Sequence, residues 1–154
     1  MASNRHLGRI VALQTLYEYE FRAGSNDDSV DLDEILGRNL ERYETAIEDK
    51  DFVDELVKGV VKAQPSLDEK IQPMAPDWPI EQIARVDRTI LRMGLYELLE
   101  LADQVPPKVA INEAVELAKA FGSDNSSKFV NGVLGTAYRT LVEGKSADAE
   151  EPEV

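Results

Sequence analysis

Apolar residues recur at intervals of three and four positions along nearly the whole chain. This spacing matches one face of an α-helix, whereas a half-buried strand requires strict alternation of apolar and polar residues, which no segment sustains. The pattern therefore predicts an all-α fold. Because the chain has 154 residues, of which 43% are hydrophobic, it is long enough to form one compact domain with its own core.

Seven segments carry the helical pattern. They cover residues 6–21, 32–43, 52–61, 67–72, 80–101, 109–121 and 126–141. On the first helix, the residues expected to share a broad inward arc are Leu7, Ile10, Leu13, Gln14, Tyr17 and Phe21. Pro65 is expected to end the third helix, because proline inside a helix removes a hydrogen bond and clashes with the preceding turn.

Prolines and glycines indicate where the helices end or approach each other. Three prolines between residues 73 and 79 predict an irregular connector, which we interpret as a hinge between two halves, with Trp78 packed at their junction. Gly122 is expected to terminate a helix in the left-handed conformation. Gly132 is expected to allow another helix to come close, and Phe129 is expected in the core.

The composition excludes several classes of function. The chain has no cysteine and a single histidine, His6, so we expect no thiolate or imidazole metal cluster, no catalytic triad and no cofactor held by such groups. No apolar run approaches the roughly 20 residues that cross a bilayer, and the first residues lack the apolar stretch of a secretory signal. We therefore expect a cytoplasmic protein without a membrane association.

The net charge of -13 is unevenly distributed. Residues 25–55 contain 12 acids and 3 bases, and residues 143–154 contain 5 acids and 1 base, while the remaining chain is neutral. The first 17 residues contain Arg5, Arg9 and His6 and no acid. An acidic chain can thus have a locally basic N-terminal end, which is expected to be accessible to a phosphate backbone. Long-range electrostatic steering of the protein toward RNA is expected to be weak.

Two C-terminal segments carry more information than helical periodicity. They are residues 105–119, VPPKVAINEAVELAK, and residues 128–134, KFVNGVL. Both closely resemble the NusB family. Further matches in the family's order are VDRTILR at residues 86–92, Gly59-Val60, and the first-helix residues Arg9, Ala12, Gln14, Leu16 and Tyr17. The resemblance extends over about residues 5–141.

The resemblance implies a helical bundle of two packed subdomains. These are expected at about residues 5–64 and 66–143, within a domain of residues 1–143 that is followed by a disordered acidic tail at residues 144–154. The resemblance also implies a protein without a catalytic centre that binds boxA, a short single-stranded RNA element in nascent ribosomal RNA operon transcripts. NusB proteins do this with NusE, a small-subunit ribosomal protein, and act on RNA polymerase with other Nus factors. Some members form homodimers, and the sequence leaves this option open.

Family position assigns RNA contact to eight residues in two places, the first helix and the turn before the last helix. They are Arg5, His6, Arg9, Gln14, Tyr17, Asn125, Ser127 and Lys128. A helix N-terminus with basic side chains favours phosphate, and a tyrosine offers a stacking face for a base. Without the family, the basic residues are typical of a solvated surface and the turn of an N-cap loop. The family commonly begins with a denser arginine-rich run, so a weaker or more partner-dependent RNA affinity is expected here.

A second set of residues is assigned to partner binding. It consists of Glu81, Arg88, Arg92, Asn112 and Glu113. The spacing of Arg85, Arg88 and Arg92 places them on the polar side of their helix, where they suit contact with a partner or intramolecular ion pairs, which contribute little at a surface.

Two rival functions remain open. Some ribosomal RNA methyltransferases carry a NusB-like N-terminal domain, but this interpretation requires a longer chain, because no glycine-rich cofactor loop follows residue 141. A protein-only scaffold that has lost RNA binding is the other alternative, and the sparse basic end supports it.

Overall fold

The computed structural model describes residues 2–43 and 45–143, with side chains from Arg5 onward. Its six α-helices are α1 Ala2–Gly24, α2 Leu32–Arg42, α3 Lys50–Ile71, α4 Arg85–Glu100, α5 Pro107–Phe121 and α6 Ser126–Ala137. Two 3-10 helices, Gln72–Met74 and Ile80–Gln82, lie between α3 and α4, and a π-helical segment, Tyr138–Glu143, follows α6. No strand occurs within the described residues, and the predicted all-α fold is confirmed.

The chain divides into two compact units, Met1–Lys62 and Ala63–Val154. The division falls inside α3, so this helix contributes residues to both units. The boundary between the two units therefore lies before the proline connector, in which the hinge is expected. The predicted acidic tail, residues 144–154, lies outside the described residues.

The first unit contains α1, α2 and the first part of α3. Asp31 caps α2, since its carboxylate accepts hydrogen bonds from the N–H groups of Asp33 and Glu34. In the interior, Asn39 Nδ2 donates to Thr15 Oγ1 at 3.0 Å, and both residues are buried. This hydrogen bond satisfies two polar groups in the core and fixes how α2 lies on α1.

The buried face of α1 is not the predicted one. Tyr17 and Phe21 are 38% and 54% exposed, although the apolar pattern places them inward. The buried residues of α1 are Gly8, Arg9, Val11, Ala12, Leu13, Thr15 and Leu16. At Gly8 an added Cβ would lie 2.9 Å from Cγ2 of Val53, so the absence of a side chain lets α1 approach α3 closely. Small residues therefore decide which face is buried, and two aromatic residues remain at the surface.

Helix α3 continues through Pro65, where the sequence predicts a break. A proline in a helix interior costs about 3 kcal/mol. However, Leu67 and Ile71 are buried and continue the apolar stripe of Val60 in steps of seven and four residues. Burying each of these side chains contributes about 1.5–3 kcal/mol, which offsets the cost of the proline. The prediction of a separate short helix over residues 67–72 is wrong for this reason.

The connector after α3 is organised by one side chain. Gln72 Nε2 donates to the backbone oxygen of Trp78 at 2.8 Å, and its Oε1 accepts from the N–H of Ile80 at 2.8 Å. Ile83 and Ala84 then adopt extended conformations, which separate Ile80–Gln82 from α4. The predicted single helix over residues 80–101 is therefore interrupted.

Close packing in the second unit occurs at Gly94 rather than at Gly132. An added Cβ on Gly94 of α4 would lie 2.6 Å from Cδ1 of Leu134 and 3.4 Å from Cβ of Ala114, so α5 and α6 both approach α4 here. Gly132 is exposed, and no neighbouring heavy atom of the described chain lies within 4 Å of where its Cβ would be. The close approach predicted at Gly132 is therefore wrong.

Candidate nucleic-acid interface

Arg5 lies near the start of α1, over the ring of Phe52 and beside Asp49. Its Cζ is 4.5 Å from the ring centroid, and its Nη2 donates to Oδ2 of Asp49 at 3.1 Å. Asp49 also caps α3, because its Oδ1 accepts from the N–H of Phe52 at 3.0 Å. The hydrogen bond from this N–H is the main cause that lowers the pKa of the Asp49 carboxyl, and Arg5 lowers it further against the effect of burial. The Arg5 side chain is 24% exposed, so it can reach a ligand at the surface.

Arg9 occupies a different environment from Arg5. It is 1% exposed, and its Cζ lies 5.1 Å from the centroid of the Phe52 ring, which is itself 2% exposed. Family position predicts RNA contact for both arginines, but only Arg5 reaches the surface. In this conformation Arg9 stabilises Phe52 from within the core, and a phosphate could not contact it directly.

Three further predicted RNA contacts share one side of α1. At 100° per residue, His6, Gln14 and Tyr17 fall within an arc of about 80°. Tyr17 is exposed, and the other two are half-buried. Oε1 of Gln14 is buried and has no hydrogen-bond partner within the described chain. A buried acceptor without a donor is unfavourable for stability.

The remaining predicted RNA contacts lie in the second unit, at the turn before α6. Asn125 and Lys128 are exposed, and Ser127 is half-buried. Asn125 is the N-cap residue but makes no side-chain cap hydrogen bond. Ser126 is buried instead, and its Oγ accepts from the N–H of Ser123 at 2.8 Å. Ser126 therefore stabilises the turn from within, and Asn125 lies at the surface.

Gly122 makes this turn possible in a way that the sequence does not predict. Its φ of -95° and ψ of -164° are extended, so the left-handed conformation expected there is wrong. An added Cβ would lie 2.5 Å from Oγ of Ser126 and 2.9 Å from the backbone oxygen of Ala118. Glycine is required here because Ser126 folds back against it.

A cavity of about 280 Å³ lies in the second unit, between the proline connector and this turn. Its apolar walls come from Trp78, Ile83, Ala84 and Phe129, and Asn125 is one of the polar residues that line it. Asp87 also lines the cavity, and its Oδ1 is buried without a hydrogen-bond partner within residues 2–43 and 45–143. Trp78 is exposed rather than packed at a junction, and Phe129 is only half-buried. The cavity therefore offers aromatic faces beside polar side chains.

Two of the predicted partner-binding arginines are internal. Nη1 of Arg88 donates to the backbone oxygens of Ile83 at 2.9 Å and Ile80 at 3.3 Å, which holds the connector against α4. Arg92 forms two hydrogen bonds with the carboxylate of Asp68 in α3, at 2.7 and 2.9 Å, and its side chain is 6% exposed. Arg88 is therefore held by neutral backbone oxygens nearby in sequence, whereas Arg92 forms an intramolecular ion pair, which is one of the two roles that the spacing allowed.

The other predicted partner contacts are accessible. Glu81 is exposed on the 3-10 helix Ile80–Gln82, and Asn112 is exposed on α5 with Glu113 half-buried beside it. Among residues 5–43 and 45–143, no group of three or more histidine, aspartate or glutamate side chains could hold a metal ion. Each helix in the part of the chain that the structure describes is too short or too polar to cross a membrane.

Sequence reasoning missed three residues that shape these surfaces. Asp49 and Phe52 contact Arg5, and Asp87 lines the cavity. An aspartate directly before a helix is an N-cap signal, so the capping role of Asp49 was readable from the sequence. Its pairing with a residue 44 positions away was not.

A comparison with protein families matches residues 6–139 to the NusB family. A curated relative from Chloroflexus aggregans, named transcription antitermination protein NusB, is 43% identical over 97% of both chains. This chain belongs to the NusB family. NusB proteins are RNA-binding transcription factors, and membership confirms both the resemblance and the expectation that the chain is not an enzyme.

Solved NusB structures share the fold. NusB from T. maritima is 32% identical, with a TM-score of 0.75 over 88% of this chain and 90% of that one. A NusB chain from a crystal structure of antitermination factors NusB and NusE in complex with dsRNA is 26% identical. Its TM-score is 0.78 over 91% of this chain and 99% of that one.

Proposed function

We propose that this NusB chain is a transcription antitermination factor that binds boxA-type single-stranded RNA in nascent ribosomal RNA operon transcripts together with NusE. It acts in the cytoplasm with other Nus factors and promotes processive elongation by RNA polymerase. The observation that carries the proposal is the similarity, over nearly the full length of both chains, to the NusB that was crystallised with NusE and RNA.

On α1, the RNA contacts are Arg5, His6, Gln14 and Tyr17. Arg5 supplies charge at the surface, Tyr17 supplies an exposed stacking face, and Gln14 is a half-buried polar residue on the same side as Tyr17. Single-stranded RNA needs this combination, because cations follow the backbone while aromatic rings hold unstacked bases. Arg9 contributes by supporting Phe52, on which Arg5 lies.

In the second unit, the RNA contacts are Asn125, Ser127 and Lys128. The exposure of Asn125 supports this assignment, since its side chain makes no cap hydrogen bond and its amide is accessible to a ligand. Lys128 is exposed and adds a positive charge in the first turn of α6, where helix amides also favour phosphate.

The NusE surface is formed by Glu81, Asn112 and Glu113, with Arg88 and Arg92 acting indirectly. Arg88 holds the backbone of the connector that carries Glu81, and Arg92 ties α4 to α3. A homodimer is a further possibility that the family raises, and the molecular mass in solution, measured with and without NusE, tests it.

Two alternatives make different predictions. A protein-only scaffold would bind NusE but no RNA, and the small number of basic residues at the start of α1 favours it. An appendage of a methyltransferase gains no support from the comparisons, because this chain spans 97% of a curated relative that is named as an antitermination protein.

The deciding experiment is a fluorescence anisotropy titration of labelled boxA-like single-stranded RNA with this protein, alone and with NusE, at two salt concentrations. We expect weak binding alone, tighter binding with NusE, and a loss of affinity as salt rises. A duplex of the same sequence, used as competitor, separates single-strand from double-strand recognition. Absence of RNA binding even with NusE would favour the scaffold.

Matched variants locate the site on α1. Tyr17→Ala should weaken RNA binding by about 5- to 150-fold, which corresponds to the roughly 1–3 kcal/mol that one stacked base contributes. Phe21→Ala truncates an aromatic residue that is even more exposed, one turn further along α1, and should leave affinity unchanged. Equal effects of the two substitutions would reject Tyr17 as a specific contact.

A second matched pair tests the turn. Lys128→Ala should weaken binding and reduce the salt dependence by about 0.7 in a double-logarithmic plot, as expected for one lost phosphate contact with single-stranded RNA. Lys119→Ala removes an exposed lysine that pairs with Glu116 on α5, and serves as the control. An unchanged slope for Lys128→Ala would remove this residue from the site.

A further inference from the structure

The acidic segment of the chain is not separate from its basic end. Residues 25–55 carry most of the net negative charge, and Asp49 belongs to this segment. Its Oδ2 accepts a hydrogen bond from Arg5 at 3.1 Å, in an ion pair whose side chains are 24% and 39% exposed. The positive charge of Arg5 is therefore already partly neutralised by a carboxylate of the same unit.

We propose that Asp49 is an autoinhibitory residue that competes with the RNA phosphate for Arg5 and thereby limits RNA affinity. The inference rests on the proposed function and concerns its regulation. A phosphate that approaches Arg5 must either displace the carboxylate from Nη2 or bind beside it. Both arrangements are opposed by Asp49, because two negative charges then lie within about 6 Å of each other.

Competition is favoured over a positioning role because another side chain already orients Arg5. The Arg5 guanidinium lies 4.5 Å from the centroid of Phe52, and Phe52 is fixed in the core beside Arg9. Removing the carboxylate therefore leaves the guanidinium its aromatic support. The pair is exposed enough for a ligand to reach, and an exposed pair contributes little to stability.

The two oxygens of Asp49 have different tasks, which makes a clean substitution possible. Oδ1 caps α3 through the N–H of Phe52, whereas Oδ2 pairs with Arg5. Asparagine caps helices as well as aspartate does, so Asp49→Asn keeps the cap and removes the charge. Asp51, exposed in the first turn of α3, provides the matched control, because Asp51→Asn removes one negative charge two residues away.

The experiment is the RNA titration with NusE, at low and high salt, for the wild type, Asp49→Asn and Asp51→Asn. We expect Asp49→Asn to bind boxA-like RNA about three- to tenfold more tightly at low salt, with a smaller gain at high salt. Asp51→Asn should change affinity less than about twofold. In an Arg5→Ala background, the gain from Asp49→Asn should disappear.

Three results would overturn the inference alone: an affinity of Asp49→Asn equal to or below that of the wild type, an equal gain from Asp51→Asn, or a gain that persists without Arg5. A wild type that binds no RNA even with NusE would instead overturn the proposed function, and this inference with it. Thermal melting checks that the variants fold. Should Asp49→Asn fail to fold, Asp49→Ser repeats the test, since serine also caps helices well.

Discussion

Replacing Arg9 by alanine should destabilise the protein rather than simply remove a contact with RNA. Arg9 is 1% exposed and lies 5.1 Å from the centroid of the Phe52 ring. A desolvated cation–π contact contributes about 2 kcal/mol. Truncating a large buried side chain to alanine costs about 2–5 kcal/mol, and for arginine much of this is lost packing. We therefore expect Arg9→Ala to lower the free energy of unfolding by about 2–5 kcal/mol.

Arg5→Ala is the internal comparison. The Arg5 side chain is more exposed and its ion pair with Asp49 is partly screened, so we expect a loss of about 1 kcal/mol. Urea denaturation followed by circular dichroism measures both values. With an m value of about 2 kcal/mol/M, the midpoint should fall by about 1–2.5 M for Arg9→Ala and by about 0.5 M for Arg5→Ala.

A third variant separates structure from charge. Arg9→Met keeps most of the apolar volume but removes the positive charge, so it should recover part of the stability and retain RNA binding. An Arg9→Ala protein with an unchanged midpoint and no RNA binding would contradict a buried role for Arg9, because Arg9 would then act at the surface. Loss of RNA binding in a well-folded Arg9→Met protein would lead to the same conclusion.

Two further predictions concern stability. Gly132→Ala should raise the free energy of unfolding by about 0.5–1 kcal/mol, because the position is helical and open. Gly94→Ala should lower it by about 1–2 kcal/mol, because the added methyl group overlaps Leu134. The melting temperatures of the two variants should therefore shift in opposite directions, and shifts of the same sign would contradict these packing differences. Arg92→Ala should cost about 2–4 kcal/mol by leaving the partly buried Asp68 carboxylate without its partner, and the double replacement of both residues by leucine should recover much of this loss in urea denaturation.

Periodicity was sufficient to predict most helices but not which face each one buries. The apolar pattern of α1 predicted that Tyr17 and Phe21 point inward, yet both are exposed because Gly8 allows α1 to approach α3 on another side. Pro65 likewise predicts the end of α3, but the helix continues through it. Local propensity was outweighed there by the burial of Leu67, which only the tertiary packing determines.

The candidate site was predictable as a set of residue types in the family's order, but the environment of each residue was not. Because arginine is usually exposed, the sequence predicts that Arg9 and Arg92 lie at the surface. Each is buried by a residue far away in sequence: Phe52 lies against Arg9, and Asp68 lies against Arg92. A single sequence contains no signal for such pairs, because periodicity describes only neighbours within a few turns.

The charge distribution is the feature whose meaning the structure changes most. In the sequence, the acidic residues 25–55 are separate from the basic start of α1, which is therefore expected to be accessible to RNA. In the folded unit, Asp49 from this segment lies 3.1 Å from Arg5. A net charge of -13 therefore opposes RNA in two ways, through the weak long-range field of the whole chain and through one carboxylate beside the contact. Salt screens the first effect more completely than the second, so the salt dependence of Asp49→Asn distinguishes a local competitor from a general charge effect.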